Sequence, residues 1–191
     1  MKFEELKNIL HNDSLVIAKK WAKGVATSEF TKTYRKLPEE ELIKIGMRVY
    51  DNLGNWIEPN FSHAEIGKVY AGFGAERFEK GFPLCEILYA IHFIKKVLLN
   101  HIFSAGILPD TLNLYRTHDL VAKVHDFFDL AAFYMTRGYQ ESLYKKISAQ
   151  KGIDQEKLKK LFPDGSFFFE KEPSFKTFEK AMEGFNLFKV K

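Results

Sequence analysis

Residues 84–102 read LCEILYAIHFIKKVLLNHI, and this stretch carries the clearest helical pattern of the chain. Its apolar side chains recur at three- and four-residue steps, the spacing that places them on one buried face of a helix. They are Leu84, Ile87, Leu88, Ile91, Ile94, Leu98 and Ile102. Gly81 and Pro83 stand just before the stretch and predict the end of one helix and the start of the next.

The same spacing recurs on both sides of this stretch. Residues 39–57, 66–77 and 110–146 are each predicted to form one helix. Residues 3–10 and 15–25 are predicted to form two shorter helices, because the three residues between them are of types that cap helices. A helix over 110–146 would span roughly 50 Å, so we expect a bend or break within it. The predicted core includes Leu53, Trp56, Tyr70, Ile87, Ile91, Phe128 and Ala131.

These patterns predict an all-α protein. We expect a multi-helix bundle over residues 1–148 and a Phe-rich C-terminal extension over residues 149–191. Eight of the 19 Phe residues lie at or after position 162, and so many rings are costly to leave in water. The extension is therefore predicted to dock on the bundle, with a partner-binding segment as the alternative. Residues 166–170 are the only stretch that resembles a strand.

Composition and charge limit the functional class. The 191 residues are 46% hydrophobic, a value typical of globular proteins and not of disordered or fibrous chains. The 29 Lys and Arg against 25 Asp and Glu leave a formal charge of +4, too modest to indicate a nucleic-acid partner. Cys85 is the single cysteine, so no internal disulfide is possible. Because no secretory or membrane-spanning pattern is present either, we predict a cytoplasmic protein without a membrane partner.

The most suggestive cluster for chemistry consists of His118, His125 and Asp129. On a helix these positions lie within about 40° of one another, so two imidazoles and a carboxylate could share one face and hold a metal ion. Such a site needs a further ligand from another helix. The available residues are His92, His101 and Glu86. Because the ligand set is incomplete, we expect no bound metal and interpret the cluster as a solvated helix face.

His92 and Cys85 are weaker candidates on the predicted helix 84–102. His92 stands between Ile91 and Phe93, where an axial haem ligand could project into an apolar cavity. A histidine at such a position is more often a core-edge residue, so we expect no haem. Cys85 lacks a nucleophile motif around it and is predicted to be a buried structural thiol. The sequence therefore indicates no cofactor and no catalytic residue.

Gly72 and Gly74 lie within a predicted helix. They do not form a phosphate loop, because no Gly-Lys-Ser/Thr sequence follows them. We predict instead that these glycines allow a neighbouring helix to approach closely.

Seven parts of the chain, taken in order, carry a further signal. They are Trp21, YRKLPEEEL (34–42), NLGNW (52–56), YAGFGAERF (70–78), GFPLCEI (81–87), FFD (127–129) and YMTRGYQE (134–141). Together these segments resemble one known family, the RsbRD N-terminal domain, which is the sensory half of RsbT co-antagonist proteins of the stressosome. The resemblance covers about residues 10–145.

This resemblance implies an all-helical input domain for stress-response signal transduction. It also implies a globin-like, dimeric fold that holds no haem, and it transfers no catalytic residues. RsbT co-antagonists continue into a phosphorylatable STAS domain, whereas a Phe-rich segment follows the matched region here. We therefore expect the chain to act on a protein partner or output module in trans, or to use its tail as the output.

The function expected from the sequence is thus that of a non-enzymatic sensory or regulatory helical domain that acts through a protein partner. The alternatives are a binding module for an apolar ligand or haem, and a metal-dependent enzyme. Arg77, Glu86 and Tyr139 are predicted to form an internal polar network, because each lies in a matching segment and a charge beside a packed helix face needs a partner. A static ion pair that locks two helices remains the alternative for these residues.

Overall fold

The computed structural model describes residues 2–58, 63–104 and 114–161. These ranges contain helices and one short 3-10 turn, and no strand occurs within them. The predicted all-α class is therefore confirmed. The elements are α1 (Lys2–Thr27), the 3-10 turn (Tyr34–Lys36), α2 (Glu39–Trp56), α3 (His63–Glu79), α4 (Leu84–Ser104), α5 (Leu114–Ser148) and α6 (Gln155–Leu161).

The chain divides into two compact units, Met1–Tyr139 and Gln140–Lys191. The cavity and the groove discussed below are lined by residues of the first unit alone. The predicted Phe-rich extension from Phe162 onward and the strand-like residues 166–170 lie outside the described residues. The predicted boundary at residue 148 stays a prediction.

The N-terminal region forms one continuous helix, so the prediction of two shorter helices was wrong. Asn12, Asp13 and Ser14, which suggested a break, lie in the middle of α1. Their weak helix propensity costs only a few tenths of a kcal/mol each. Burial outweighs this cost, because one stripe is buried along the whole helix. It consists of Leu6, Leu10, Ser14, Ile17, Trp21 and Val25.

The turn between α3 and α4 ends α3 as predicted. Gly81 has a φ of +74°, a backbone conformation that glycine adopts without steric cost. The Gly81 N–H donates to the Phe78 carbonyl at 2.9 Å, and the Phe82 N–H donates to the Arg77 carbonyl at 2.9 Å. This pair of bonds is the Schellman motif, which brings the residue after the glycine back onto the last turn of the helix. Phe82 is thereby placed beside Arg77.

The seven predicted core residues are all buried, which confirms that part of the prediction. The long helix shows no break within the described residues, since α5 is continuous over 35 residues, and the alternative of a bend stays a prediction. A regular stripe of buried side chains along α5 explains its continuity. These side chains are Leu120, Val124, Phe127, Phe128, Ala131 and Met135. None of the described helices has the length and hydropathy that crossing a membrane would require.

Candidate functional site

A small apolar cavity of about 40 Å³ lies where the 3-10 turn and helices α1 to α5 meet. Aromatic and aliphatic side chains form most of its wall, among them Trp21, Tyr34, Val49, Phe73, Ile91 and Met135. Trp21 is fixed in this wall because its indole N–H donates to the Ala90 carbonyl at 3.0 Å. Its aromatic ring is therefore the part of Trp21 that remains for contact with a ligand.

A polar groove of about 200 Å³ adjoins the cavity between α2 and α3. Ile45, Arg48 and Arg77 line both the groove and the cavity, so the two spaces share these residues as a common wall. The rest of the groove is formed by Glu41, Lys44 and Glu76. The site thus combines an apolar interior with a charged approach.

Arg77 is the central polar residue of this site. Its side chain is only 5% exposed, and its Nη1 atom is buried without a hydrogen-bond partner among the described residues. The guanidinium carbon lies 4.9 Å from the centre of the Phe82 ring and 5.9 Å from that of Tyr34. These aromatic faces attract a cation but accept no strong hydrogen bond. Because arginine does not lose its proton in proteins, a buried positive charge remains beside the cavity.

The carboxylates of the groove are already occupied by other cations. Lys80 Nζ lies 2.9 Å from Glu76 and 3.8 Å from Glu41, and Arg48 lies 3.9 Å from the second oxygen of Glu76. The hydrogen bond from Lys80 holds the pKa of the Glu76 carboxyl below its usual value. The Arg48 guanidinium also stacks over the Phe73 ring at 3.8 Å. Arg48 thus forms an ion pair with Glu76, whereas Arg77 acts on Glu76 through its charge alone and lowers the pKa of that carboxyl further.

Tyr34 contributes a neutral group to the cavity wall. It is 3% exposed, and burial raises the pKa of its hydroxyl to about 12. The phenol therefore stays protonated at neutral pH and adds no negative charge that could balance Arg77.

The three residues predicted to form a polar network lie in different local environments. Glu86 accepts hydrogen bonds from the Thr33 backbone N–H at 2.8 Å and the Thr33 hydroxyl at 3.2 Å, which anchors the 3-10 turn to α4. The Tyr139 ring packs edge-on against Phe78 at 5.1 Å. Among the described residues, no hydrogen bond or ion pair joins Arg77, Glu86 and Tyr139 to one another.

The metal and haem candidates are placed away from the cavity. His92 is exposed on α4 and does not line the cavity. Asp129 forms an ion pair with Lys95 at 2.8 Å, and His118 is 54% exposed, with Asp119 at 4.0 Å. In residues 2–58, 63–104 and 114–161, no three His, Cys, Asp or Glu side chains converge as metal ligands. The further ligands considered have other partners: His101 lies 2.9 Å from Asp13, and Glu86 binds Thr33.

Cys85 is exposed, which overturns its prediction as a buried thiol. It lies in the first turn of α4, where the buried stripe passes through Ile87 and Ile91 instead. Helix geometry places Cys85 on the opposite side from these residues.

The glycine prediction is confirmed for Gly74 and wrong for Gly72. A Cβ atom on Gly74 would overlap the Met135 carbonyl oxygen, whereas one on Gly72 would meet nothing within 4 Å. Gly138 of α5 makes the reciprocal approach, because a Cβ there would overlap the Ala71 carbonyl oxygen. The sequence reasoning did not assign this role to Gly138.

Sequence reasoning also missed Arg48 and the groove. Arg48 precedes Val49 at the edge of the apolar stripe of α2, and an arginine there resembles any solvated side chain. A signal for Arg77 was present, since it continues the stripe of Ile66, Tyr70 and Phe73 at a helical step.

No protein-family model, curated protein or solved structure matches this chain.

Proposed function

We propose that this chain is a non-enzymatic sensory domain of the RsbRD N-terminal type, in which the Arg77 cavity receives the signal and a protein partner reads it. The observation that carries the proposal is the buried Arg77 guanidinium beside an apolar cavity, with an Nη1 atom that has no hydrogen-bond partner among the described residues. A guanidinium in this setting is a recognition group, because it stays charged and offers directional donors to an anion.

The location of the motif segments supports this proposal. Trp21, Tyr34, Phe73, Ile87 and Met135 come from five separate segments that resemble the family, and all of them line the same cavity. Arg77 lies in the same segment as Phe73. Five of the seven segments that carry the resemblance thus contribute a residue to one cavity, as expected of a shared input site.

The chemistry of the lining favours sensing over catalysis. Among the described residues, the cavity and groove are lined by arginine, lysine, glutamate, aromatic and aliphatic side chains, and by no Ser, Cys or His. Glu76 could act as a base only if it were free, yet it is bound by Lys80. Such a wall is better suited to holding and orienting a ligand than to acid–base chemistry.

Helix α3 provides the route by which occupancy reaches the rest of the domain. It carries Arg77 and Phe73 at the cavity, and its backbone lies directly against α5 at Gly74. Because packed helices shift as rigid elements, a ligand that changes the spacing of α2 and α3 also moves α5. A protein partner in trans, or a second copy of the chain, reads this movement in the cytoplasm.

Among the alternatives, the apolar wall favours a small ligand over haem. A volume of about 40 Å³ is far below the roughly 300–1,000 Å³ of pockets that hold drug-sized ligands. His92, the axial candidate, is exposed outside the cavity.

The test is isolation of the tagged chain from its own cells, with Arg77→Met compared to the unaltered protein. Lys96→Met is the matched control, because it removes one positive charge from an exposed position of α4 away from the cavity. We expect one protein to copurify in near-stoichiometric amount, and its recovery to change severalfold for Arg77→Met but not for Lys96→Met. Equal recovery of every protein from all three samples would overturn the proposal, as would substrate turnover by the purified chain.

A further inference from the structure

The geometry points to a small monocarboxylate, with an apolar body of about one to three carbons, as the ligand of the Arg77 cavity. This inference rests on the proposed function and names the chemical class of its signal. Three observations carry it: the buried guanidinium with a free Nη1 donor, the size of the cavity and the nature of its wall.

The charge at the site favours an anion. Arg77 is buried, and its Nη1 has no hydrogen-bond partner among the described residues. Glu76 is close enough for its charge to attract that of Arg77, but its carboxylate is shared with Lys80 and Arg48. Glu41 lies 3.8 Å from Lys80. A buried ion with an unsatisfied donor is destabilised, and arginine cannot relieve this by losing its proton. A carboxylate is the planar anion that a guanidinium binds best.

The cavity limits the ligand to a small molecule. A volume of about 40 Å³ gives room for roughly three water-sized groups beyond the walls. A carboxylate with a short alkyl chain fits this space. A chain of six carbons would have to extend into the groove, where most of the lining side chains are charged and Ile45 alone is aliphatic.

The wall distinguishes a carboxylate from inorganic phosphate. Val49, Ile87, Ile91 and Ile94 provide aliphatic surface, and the Trp21 N–H is already bonded to the Ala90 carbonyl. Phosphate has four oxygens that all require donors or water, so an apolar wall disfavours it. A short carboxylate instead directs its two oxygens toward Arg77 and its alkyl end toward the isoleucines.

The two tryptophans give a direct measurement. Trp21 lines the cavity, whereas Trp56 is not among the lining residues and packs near Phe127 at 6.0 Å. In a ¹⁵N-labelled sample of the full chain, the two indole N–H signals are followed while acetate, propionate, butyrate or hexanoate is added at constant ionic strength. Propionamide and inorganic phosphate are the controls for charge and for anion type.

We expect the Trp21 signal to shift with a saturable dependence on acetate, propionate or butyrate, while the Trp56 signal stays in place. Hexanoate, propionamide and phosphate should bind at least tenfold more weakly than the best short carboxylate. Arg77→Met should weaken that binding at least tenfold, and Lys96→Met should leave it unchanged. If Arg77→Met does not give a dispersed spectrum, Arg77→Gln replaces it and should show the same loss.

The inference is overturned if no short carboxylate shifts Trp21 saturably, if both indoles shift together, if phosphate or propionamide binds equally well, or if the Arg77 variant binds as the parent does. The outcome of this titration can be distinguished from the outcome of the copurification experiment. A partner that depends on Arg77 without carboxylate binding leaves the sensory function standing and rejects this ligand. Carboxylate binding without a dependent partner supports the ligand and rejects the sensory role.

Discussion

Two adjacent faces of α3 are packed in opposite ways. On the face toward α5, Gly74 and Ala71 bring the backbone of α3 against that of α5, with Gly138 as the reciprocal glycine. On the face toward α2, Phe73 and Arg77 meet Arg48 through long side chains, and the cavity and groove lie between them. The difference shows what the two residue types do to helix packing. Glycine allows the backbones of α3 and α5 to pack in direct contact on the closed face, whereas the long side chains on the open face, including the buried Arg77, leave space between α3 and α2.

The largest effect is expected from Gly74→Ala or Gly138→Ala on the closed face. Each new Cβ would overlap a backbone carbonyl oxygen, which cannot move aside as a side chain does. We expect a loss of about 3 kcal/mol in the free energy of unfolding, at the upper end of overpacking costs, measured by urea denaturation.

Gly72→Ala is the matched control, because it lies on the same helix with nothing within 4 Å of the new Cβ. It should stabilise the protein by about 0.8 kcal/mol through helix propensity alone. Similar losses for Gly72→Ala and Gly74→Ala would contradict the close approach of α3 to α5.

On the open face, Arg77→Met should stabilise the ligand-free protein by about 1 kcal/mol. The substitution removes a buried charge whose Nη1 atom has no hydrogen-bond partner among the described residues, and it leaves an apolar side chain against Phe82 and the cavity wall. The measurement is the same denaturation in carboxylate-free buffer. A clear destabilisation would mean that the Arg77 side chain is required for the packing of the open face.

The smallest effect is expected from Glu76→Gln at the edge of the groove. The pKa of Glu76 is lowered in the folded state, chiefly by its hydrogen bond to Lys80. Its contribution to stability is therefore present above the unfolded pKa and is lost as the pH falls through the lower folded pKa. We expect Glu76→Gln to lower the melting temperature slightly at pH 7 and to match the parent once the pH has fallen below the lowered folded-state pKa of Glu76. A constant difference at all pH values would show that the ionised carboxylate is not responsible.

Local sequence signals predicted much of the fold. The apolar stripe of α4 and the end of α3 at Gly81 are determined by residues that are close in sequence, so each could be recognised from one segment of the chain. The continuity of α1 could not, because the caps suggested by Asn12 and Ser14 are outweighed by burial against other helices. Cys85 was misplaced for a related reason, since an apolar neighbourhood in sequence does not say which side of a helix faces the core.

The candidate site was predictable only in part. Arg77 attracted attention because it continues an apolar stripe and must find a partner. The cavity beside it is formed by residues of five helices and a 3-10 turn, which no single segment reveals. The spacing of Gly72 and Gly74 could not decide which of them meets α5, because this depends on the direction from which α5 approaches.

The Schellman turn at Gly81 has an energetic consequence for Arg77. The turn holds the Phe82 ring beside the guanidinium, so the conformation of this flexible side chain is restricted before any ligand arrives. Ordering such a side chain on binding typically costs about 0.5–1.5 kcal/mol. In this protein the turn already orders the Arg77 side chain when the chain folds, so this ordering does not reduce the affinity for a ligand. A small anion, which makes few contacts of its own, therefore binds more tightly than it would to a mobile arginine.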